Sequence, residues 1–208
     1  MIGLFSLLIG LIVYYLLSII AIFNYPGSFD ICNDLWTHLR WFEYNPDGAV
    51  FFRSGNVIYA LTLMIFFLSI NRGITSIEGR KVPAYLIQVI GISIAVLVIT
   101  GEVLADQAAI FIIASGTSLL LTIVILIGFL TLLRGHPEFW KISVLLFIVS
   151  IVFSSYLIYI GVIDAPIREF RIIDFLSTAS NQASFFIISL NMTRIQAIEP
   201  DSISDSSP

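Results

Sequence analysis

Residues 108–133 read AAIFIIASGTSLLLTIVILIGFLTLL and contain no charged side chain. A helix needs about 20 mostly apolar residues to cross the hydrocarbon core of a bilayer, and this stretch is longer than that. Similar apolar stretches recur along the chain. The sequence therefore predicts an all-α fold, a polytopic membrane helix bundle. We expect about six transmembrane helices, at residues 2–23, 48–70, 83–105, 108–133, 141–163 and 173–195.

The composition of the whole chain favours the same class. Of its 208 residues, 58% are hydrophobic and 12% are charged, whereas about a quarter of the residues in soluble domains are charged. The net charge of −4 provides no basic surface for a nucleic acid. The composition excludes a soluble, disordered or nucleic-acid-binding protein, and membrane lipids are the expected partners. Whether the chain forms a homo-oligomer or binds a partner subunit is left open.

Basic residues in the connections predict the orientation, because Lys and Arg are enriched in cytoplasmic loops. With six spans, both termini share a side with the second and fourth connections. That side holds Arg72, Arg80, Lys81, Arg134, Lys141 and Arg194, and the opposite side holds Arg40, Arg53, Arg168 and Arg171. We therefore expect a protein of the cell membrane with cytoplasmic N- and C-termini. Residues 1–198 form a single transmembrane domain in this interpretation, and the polar residues 199–208 form a disordered cytoplasmic tail.

The first connection contains an amphipathic pattern over residues 28–43. Asp30, Asp34 and His38 follow i, i+4, i+8 spacing, so they would share one face of a helix, with apolar side chains on the other. The pattern predicts an outer amphipathic helix at the membrane interface. Its polar residues have two interpretations. Asp and His one turn apart can share a metal or a proton, or the residues can simply form the solvated face that any interfacial helix has. We expect no metal and no cofactor, with Asp34 and His38 as the only weak metal candidates.

A motif follows at the start of the second span. Residues 45–55 read NPDGAVFFRSG and resemble the pattern NP-x-GA-x-F-x-x-x-G. That pattern opens the second helix in a family of uncharacterised archaeal and bacterial six-helix integral membrane proteins, which are classed as a domain of unknown function. Pro166 and Glu169-Phe170 loosely match a second feature of the family, whereas Asn33-Asp34-Leu35-Trp36 stands where the family usually has Ser-Asp-Leu-Gly. The resemblance implies a prokaryotic six-helix membrane protein and no particular reaction.

The residues of this motif also have individual physical roles. Asn45 suits the N-cap of the second helix, and Pro46 suits its first turn, where a missing N–H costs nothing. Gly48 and Ala49 permit close approach of another helix. Arg53 lies within two turns of the helix start, so it can reach outward, pair with an outer carboxylate or bind an anion.

Polar residues inside the predicted spans supply further candidates. Glu102 and Asp106 have i, i+4 spacing where the third span turns tightly into the fourth, and they form either a proton or cation site or a hairpin end in the headgroups. In the last span, Asp174, Asn181 and Gln182 share a polar arc with several Ser and Thr residues. Lipid cannot satisfy that arc, so we expect it to face the bundle interior, as a pocket or as interhelical hydrogen bonds.

Three classes of function are compatible with the sequence. The first is a structural or accessory membrane protein, which we favour because no P-loop, Rossmann or HExxH motif is present. The second is a transporter or sensor that handles a small ligand, proton or cation through an outward-facing acidic pocket. The third is a lipid-modifying membrane enzyme that uses Asp34 and His38. Catalytic residues are not assigned, and the candidate ligand-binding residues are Asp30, Asp34, His38, Arg53, Glu102, Asp106, Asp174, Asn181 and Gln182.

Overall fold

The fold is all-helical over the part of the chain that the computed structural model describes, which is residues 2–31, 34, 36–74, 81–104, 108–133, 141, 144–145, 148–149, 151–152, 155 and 171–204. This part of the chain contains five α-helices and one short 3-10 helix, Trp36–Arg40. The α-helices are α1 (Ile2–Phe23), α2 (Ala49–Ile74), α3 (Lys81–Val103), α4 (Ala108–Leu133) and α5 (Arg171–Ser204). These described ranges contain no strand, which confirms the predicted all-α class. Most of the predicted fifth span, 141–163, lies outside the described residues.

Among the described residues, three helical stretches are long and apolar enough to cross a membrane, namely Ile2–Phe23, Ala49–Ser69 and Tyr85–Val103. With 22 residues, α1 is about 33 Å long, which matches a hydrocarbon core of about 30 Å. Within α4, the apolar stretch found over the described side chains is shorter, Leu120–Phe129. The described helices are therefore compatible with a membrane protein by their length and composition, and the count of six spans stays a prediction.

Helix α1 has one buried stripe and one broad exposed apolar face. The stripe repeats every three or four residues, which is the spacing of one helix face. It consists of Gly3, Leu7, Gly10, Tyr14, Ser18 and Ala21. The exposed face includes Ile2, Phe5, Ile9, Ile12, Leu16 and Phe23. A continuous apolar surface of this size is unfavourable in water and suits contact with lipid tails.

Small residues bring α1 and α2 close together. A Cβ atom built on Gly10 would overlap the side chain of Thr62, so only glycine fits at that position. About one helical turn before Gly10, the Ser6 hydroxyl donates a hydrogen bond of 3.0 Å to the backbone carbonyl of Thr62. Close backbone approach and interhelical hydrogen bonds are the main sources of helix association in lipid. The α1–α2 interface is therefore closely packed.

Helix α2 lies at the centre of the bundle. Phe67 packs edge-on against Phe185 of α5, with ring centroids 5.9 Å apart, and stacks at 6.5 Å with Phe129 of α4. A Cβ on Gly91 of α3 would overlap the Phe67 ring. One side chain of α2 thus contacts three other helices, which fixes their relative positions along its length.

The predicted outer amphipathic helix over 28–43 is wrong for the described part of that segment. Only Trp36–Arg40 is helical, as a 3-10 helix, and the residues around it are turns or irregular. Trp36 and Leu39 are fully or almost fully buried. Because these two side chains insert between the ends of the helices, the segment folds back over the bundle.

The structure also differs from the prediction at the C-terminal end. Helix α5 runs to Ser204, so residues 199–204, predicted to be disordered, are helical, and residues 205–208 lie outside the described part. Extending an existing helix adds one hydrogen bond for each residue that it orders except Pro200, which has no N–H, so a polar continuation can follow a long apolar helix.

Candidate functional site

A buried ion pair joins the first connection to the end of α3. Arg40 is the last residue of the 3-10 helix, and its Nη2 atom lies 2.8 Å from Oε1 of Glu102. The side chains are only 12% and 4% exposed, respectively. A buried charge that loses its partner costs about 3–5 kcal/mol. The pair therefore ties two parts of the chain that are distant in sequence.

Aromatic rings and a second arginine hold Arg40 in place. The Nε–H group of Arg53 donates a hydrogen bond of 2.9 Å to the backbone carbonyl of Arg40. The guanidinium carbon of Arg40 lies 5.7 Å from the centroid of the Phe52 ring, and that of Arg53 lies 4.5 Å from the centroid of Phe42. Cation–π contacts of this kind are worth about 0.5–1 kcal/mol at exposed sites and more when desolvated. Arg53 was expected to reach outward, pair with a carboxylate or bind an anion. Here it supports the backbone of Arg40.

Trp36 anchors the same segment from the other side. Its indole Nε1–H donates a hydrogen bond of 2.8 Å to the Tyr14 hydroxyl, and both groups are buried. The Trp36 ring packs edge-on against Phe52 of α2, at 5.8 Å between centroids, and against Phe175 of α5, at 4.8 Å. The ends of α1, α2, α3 and α5 near the first connection therefore lie at the same end of the bundle, which we call the ion-pair end.

Asn45 connects three segments at the ion-pair end. Its Oδ1 atom accepts a hydrogen bond of 3.0 Å from the backbone N–H of Gly48, which confirms its predicted role as a cap for α2. Its Nδ2 group donates to the carbonyls of Ala21 at 3.1 Å and Leu39 at 3.2 Å. A Cβ on Gly48 would overlap the Ala21 carbonyl, so the predicted close approach at this glycine is also confirmed.

The acidic residues of the first connection have a different arrangement from the predicted one. Asp34 folds back on Asp30, because its Oδ2 atom accepts a hydrogen bond of 2.9 Å from the Asp30 backbone N–H. The ring of His38 stacks on Tyr44, with centroids 4.3 Å apart and planes at 16°. Since the segment is not a continuous helix, the three residues do not share a helix face. Among the described residues, no three His, Cys, Asp or Glu side chains are grouped so that they could hold a metal.

The two carboxylate oxygens of Glu102 differ in their hydrogen bonding. Oε1 binds Arg40, whereas Oε2 is buried and has no hydrogen-bond partner within the described ranges. A carboxylate at this depth was expected to be either a site or a hairpin end in the headgroups. Its burial of all but 4% places it inside the bundle. Its predicted companion, Asp106, lies outside the described residues.

The polar arc of α5 faces inward, as expected. Gln182, Ser177 and Ser184 are buried, and Asn181 is partly buried. The Ser184 hydroxyl donates to the carbonyl of Ser180, at 2.8 Å, within its own helix. The arc thus satisfies part of its own hydrogen bonding without help from other helices. Asp174 lies in the first turn of α5, and its side chain is outside the described part.

Sequence reasoning missed Arg40, Trp36 and Tyr14 as members of this region. It also missed Tyr59, a buried residue whose ring centroid lies 6.1 Å from that of Tyr14. For Arg40 a signal was present, because a carboxylate inside a span needs a cation from the same side of the membrane. The prediction placed only four cations on that side, with Arg40 and Arg53 in the first connection and the start of α2. Trp36 and the tyrosines carry no such signal, since buried aromatic residues are common in any bundle.

Neither a family model nor a curated protein nor a solved structure matches this chain.

Proposed function

We propose that the chain is a multi-pass integral membrane protein with a structural or accessory role. In this proposal it has six spans, lies in the cell membrane and keeps both termini in the cytoplasm. Two observations support insertion of the chain in a membrane. They are the three long apolar helices among the described residues and the exposed apolar face of α1. Membership in the six-helix family is part of the proposal, supported by the NPDGAVFFRSG motif, in which Asn45 and Gly48 have defined structural contacts.

The contact that carries this proposal is the buried pair of Arg40 and Glu102. It fastens the folded-back connection onto α3 at 2.8 Å, and Trp36 and Asn45 fasten the same connection to α1 and α2. With the contact of Trp36 to Phe175 of α5, four helix ends are brought together in one surface. Such a surface favours a role in assembly or support over the lipid-modifying alternative, because the Asp34 carboxylate binds the Asp30 backbone and the His38 ring stacks on Tyr44.

Thermal unfolding of the detergent-purified protein tests the role of the pair. Glu102→Gln leaves Arg40 with a neutral partner in a buried position, so we expect a loss of about 3–5 kcal/mol in the free energy of unfolding. Glu43→Gln is the matched control, because Glu43 belongs to the same region but is exposed, and we expect less than about 0.5 kcal/mol there. Equal effects of the two variants would contradict a structural role for the pair.

Cysteine labelling tests the proposed orientation. Cys32 is the single cysteine of the chain, so a Cys32→Ser background makes each new thiol unique. An impermeant thiol reagent added outside intact cells is expected to label Asp47→Cys and to miss Ser202→Cys, since the two positions lie on opposite sides in the proposed topology. The reverse pattern would invert the topology, and labelling of both positions would mean that an even number of spans separates them, which contradicts the five spans of the proposal.

A further inference from the structure

Aromatic residues are concentrated between the end of α1 and the start of α2. Seven of the 22 residues from 23 to 44 are aromatic, compared with 13% of the whole chain. They are Phe23, Tyr25, Phe29, Trp36, Trp41, Phe42 and Tyr44. Trp36 is buried and holds the connection onto the bundle. By contrast, Phe23, Phe42 and Tyr44 are 84%, 45% and 44% exposed, respectively, and we call these three residues the aromatic rim.

The three residues of the aromatic rim all lie at the ion-pair end. Phe23 is the last residue of α1. Tyr44 is next to Asn45, whose amide donates a hydrogen bond of 3.1 Å to a carbonyl in the last turn of α1. Phe42 lies beside the second turn of α2, because the guanidinium carbon of Arg53 is 4.5 Å from the centroid of its ring. The rim thus combines the end of α1 with the part of the connection that leads into α2.

The aromatic rim continues the exposed apolar face of α1. Four exposed residues follow one another at intervals of three or four, which places them on one side of the helix. They are Ile12, Leu16, Ile19 and Phe23. The proposed insertion puts this face in contact with lipid tails. Phe23 therefore lies where the surface that contacts lipid reaches the end of the helix.

Charged neighbours limit the depth at which the aromatic rim can lie. Glu43 stands between Phe42 and Tyr44 in the chain, and both Glu43 and Asp47 are exposed. A carboxylate is costly in the hydrocarbon core of a bilayer, whereas apolar ring surface is unfavourable in water. The headgroup layer accommodates both kinds of group, and Tyr and Trp are enriched there in membrane proteins. The composition of the rim therefore fits that layer.

An exposed tyrosine lies near the opposite end of the bundle. Tyr85 is in the second turn of α3 and is 60% exposed, whereas Glu102 and Val103 end the same helix at the ion-pair end. Tyr85 is about 27 Å from Val103 along the helix, at 1.5 Å per residue. The hydrocarbon core of a bilayer is about 30 Å thick. Exposed aromatic residues at the two ends are thus separated by about that thickness.

We propose that the aromatic rim is a docking surface for the headgroup layer of the bilayer on the ion-pair side, with Phe23, Phe42 and Tyr44 in contact with phospholipid headgroups. The docking surface rests on the proposed insertion of the helices and deepens it, because it names the residues that set their depth. Contact of the rim with headgroups on one side, and of Tyr85 on the other, opposes sliding of the bundle along the membrane normal.

Electron paramagnetic resonance of spin-labelled protein in proteoliposomes tests the docking surface. In the Cys32→Ser background, a nitroxide is attached to Tyr44→Cys, to Ile12→Cys in the middle of the exposed face of α1, or to Asp47→Cys outside the helices. Oxygen is concentrated in the bilayer and a nickel chelate in water, so collision rates with the two report the surroundings of each label. We expect the nickel collision rate at Tyr44→Cys to be about threefold below that at Asp47→Cys and about threefold above that at Ile12→Cys.

The outcomes separate the docking surface from the insertion. If Ile12→Cys meets the nickel chelate as often as Asp47→Cys does, the insertion itself is wrong. If Ile12→Cys is shielded from nickel while Tyr44→Cys matches Asp47→Cys, the insertion stands and the docking surface is wrong. A label at Tyr44→Cys that meets oxygen alone would place the rim in the hydrocarbon core. A label there that meets neither reagent would be covered by protein, and both of these results would also overturn headgroup contact.

Tryptophan fluorescence provides a second measurement if a labelled variant does not fold. Tyr44→Trp and Ile12→Trp keep a large side chain at each position, and the emission of the unsubstituted protein, with its three tryptophans, is subtracted. Phospholipids brominated near the headgroup should quench the added emission of Tyr44→Trp at least about twofold more than phospholipids brominated near the chain ends, with the reverse order for Ile12→Trp. Equal quenching of Tyr44→Trp by the two lipids would overturn the docking surface.

Discussion

Helices are held together by different kinds of contact at the α1–α2 interface and at the ion-pair end. Between α1 and α2 the helices approach through Gly10 and Thr62, with the Ser6 hydrogen bond as a local addition. At the ion-pair end, Arg40 and Glu102 bring full charges into a buried position. The first interface depends on shape and the second on pairing. A change of volume should therefore damage the first, and a change of donors or acceptors should damage the second.

After Glu102→Gln, the largest expected effect comes from adding volume to the tight interface. Gly10→Leu forces the α1 backbone away from Thr62, and we expect a loss of about 3 kcal/mol in the free energy of unfolding, the upper end for overpacking. Gly116→Leu in α4 is the matched control, because a Cβ there meets nothing within 4 Å. Thermal unfolding in detergent measures both. A similar loss for the two variants would mean that α1 and α2 are not held together by close approach.

Removing donors at the ion-pair end should have a somewhat smaller effect. Asn45→Ala deletes the cap of α2 and leaves the carbonyls of Ala21 and Leu39 without this donor, so we expect a loss of about 2 kcal/mol in the free energy of unfolding. Asn24→Ala is the matched control, since Asn24 also donates to a helix carbonyl, at 2.8 Å, but is exposed.

An Asp at position 45 separates the two roles of Asn45. Asn45→Asp keeps the oxygen that accepts from Gly48 and loses the amide hydrogens that bind Ala21 and Leu39. It should therefore be at least as destabilising as Asn45→Ala, because it adds a buried charge. Full stability of Asn45→Asp would show that the cap alone matters.

The smallest expected effect is at the single hydrogen bond between Tyr14 and Trp36. Tyr14→Phe keeps the ring packing and removes the acceptor of the indole N–H, so we expect a loss of about 1 kcal/mol in the free energy of unfolding. Tyr15→Phe, at a neighbouring and partly buried position, is the control. Combining Tyr14→Phe with Trp36→Phe should cost less than the sum of the two single changes, and strict additivity would argue against the bond.

The sequence predicted the parts of this fold that are local in the chain. The apolar runs at 2–23 and 108–133 coincide with α1 and α4, because an uninterrupted run of this length has few alternatives to a helix. The cap by Asn45 was predictable for the same reason, since it acts on a residue three positions later. These features need no knowledge of how distant segments meet.

The ion-pair end was not predictable in the same way. The amphipathic pattern at 28–43 marks only some of the side chains that become buried, because Trp36 and Leu39 are buried whereas Ile31 and Phe42 of the same apolar face are exposed. A helix on a flat surface and a loop folded over a bundle can bury the same residues, so the pattern alone does not separate them. The pairing of Arg40 with Glu102 then depends on where that loop folds, which is a property of the assembled bundle.

The distance in sequence between Arg40 and Glu102 has a consequence for biosynthesis. When the first two helices have been made, Arg40 lies in a connection at the bundle end, where water can hydrate it until α3 is synthesised. Glu102 arrives later, near the end of a helix that enters the bilayer, and its carboxylate is costly there unless a cation is in place. The order of synthesis therefore supplies the cation before the carboxylate, and the first connection acts as a template for the docking of α3.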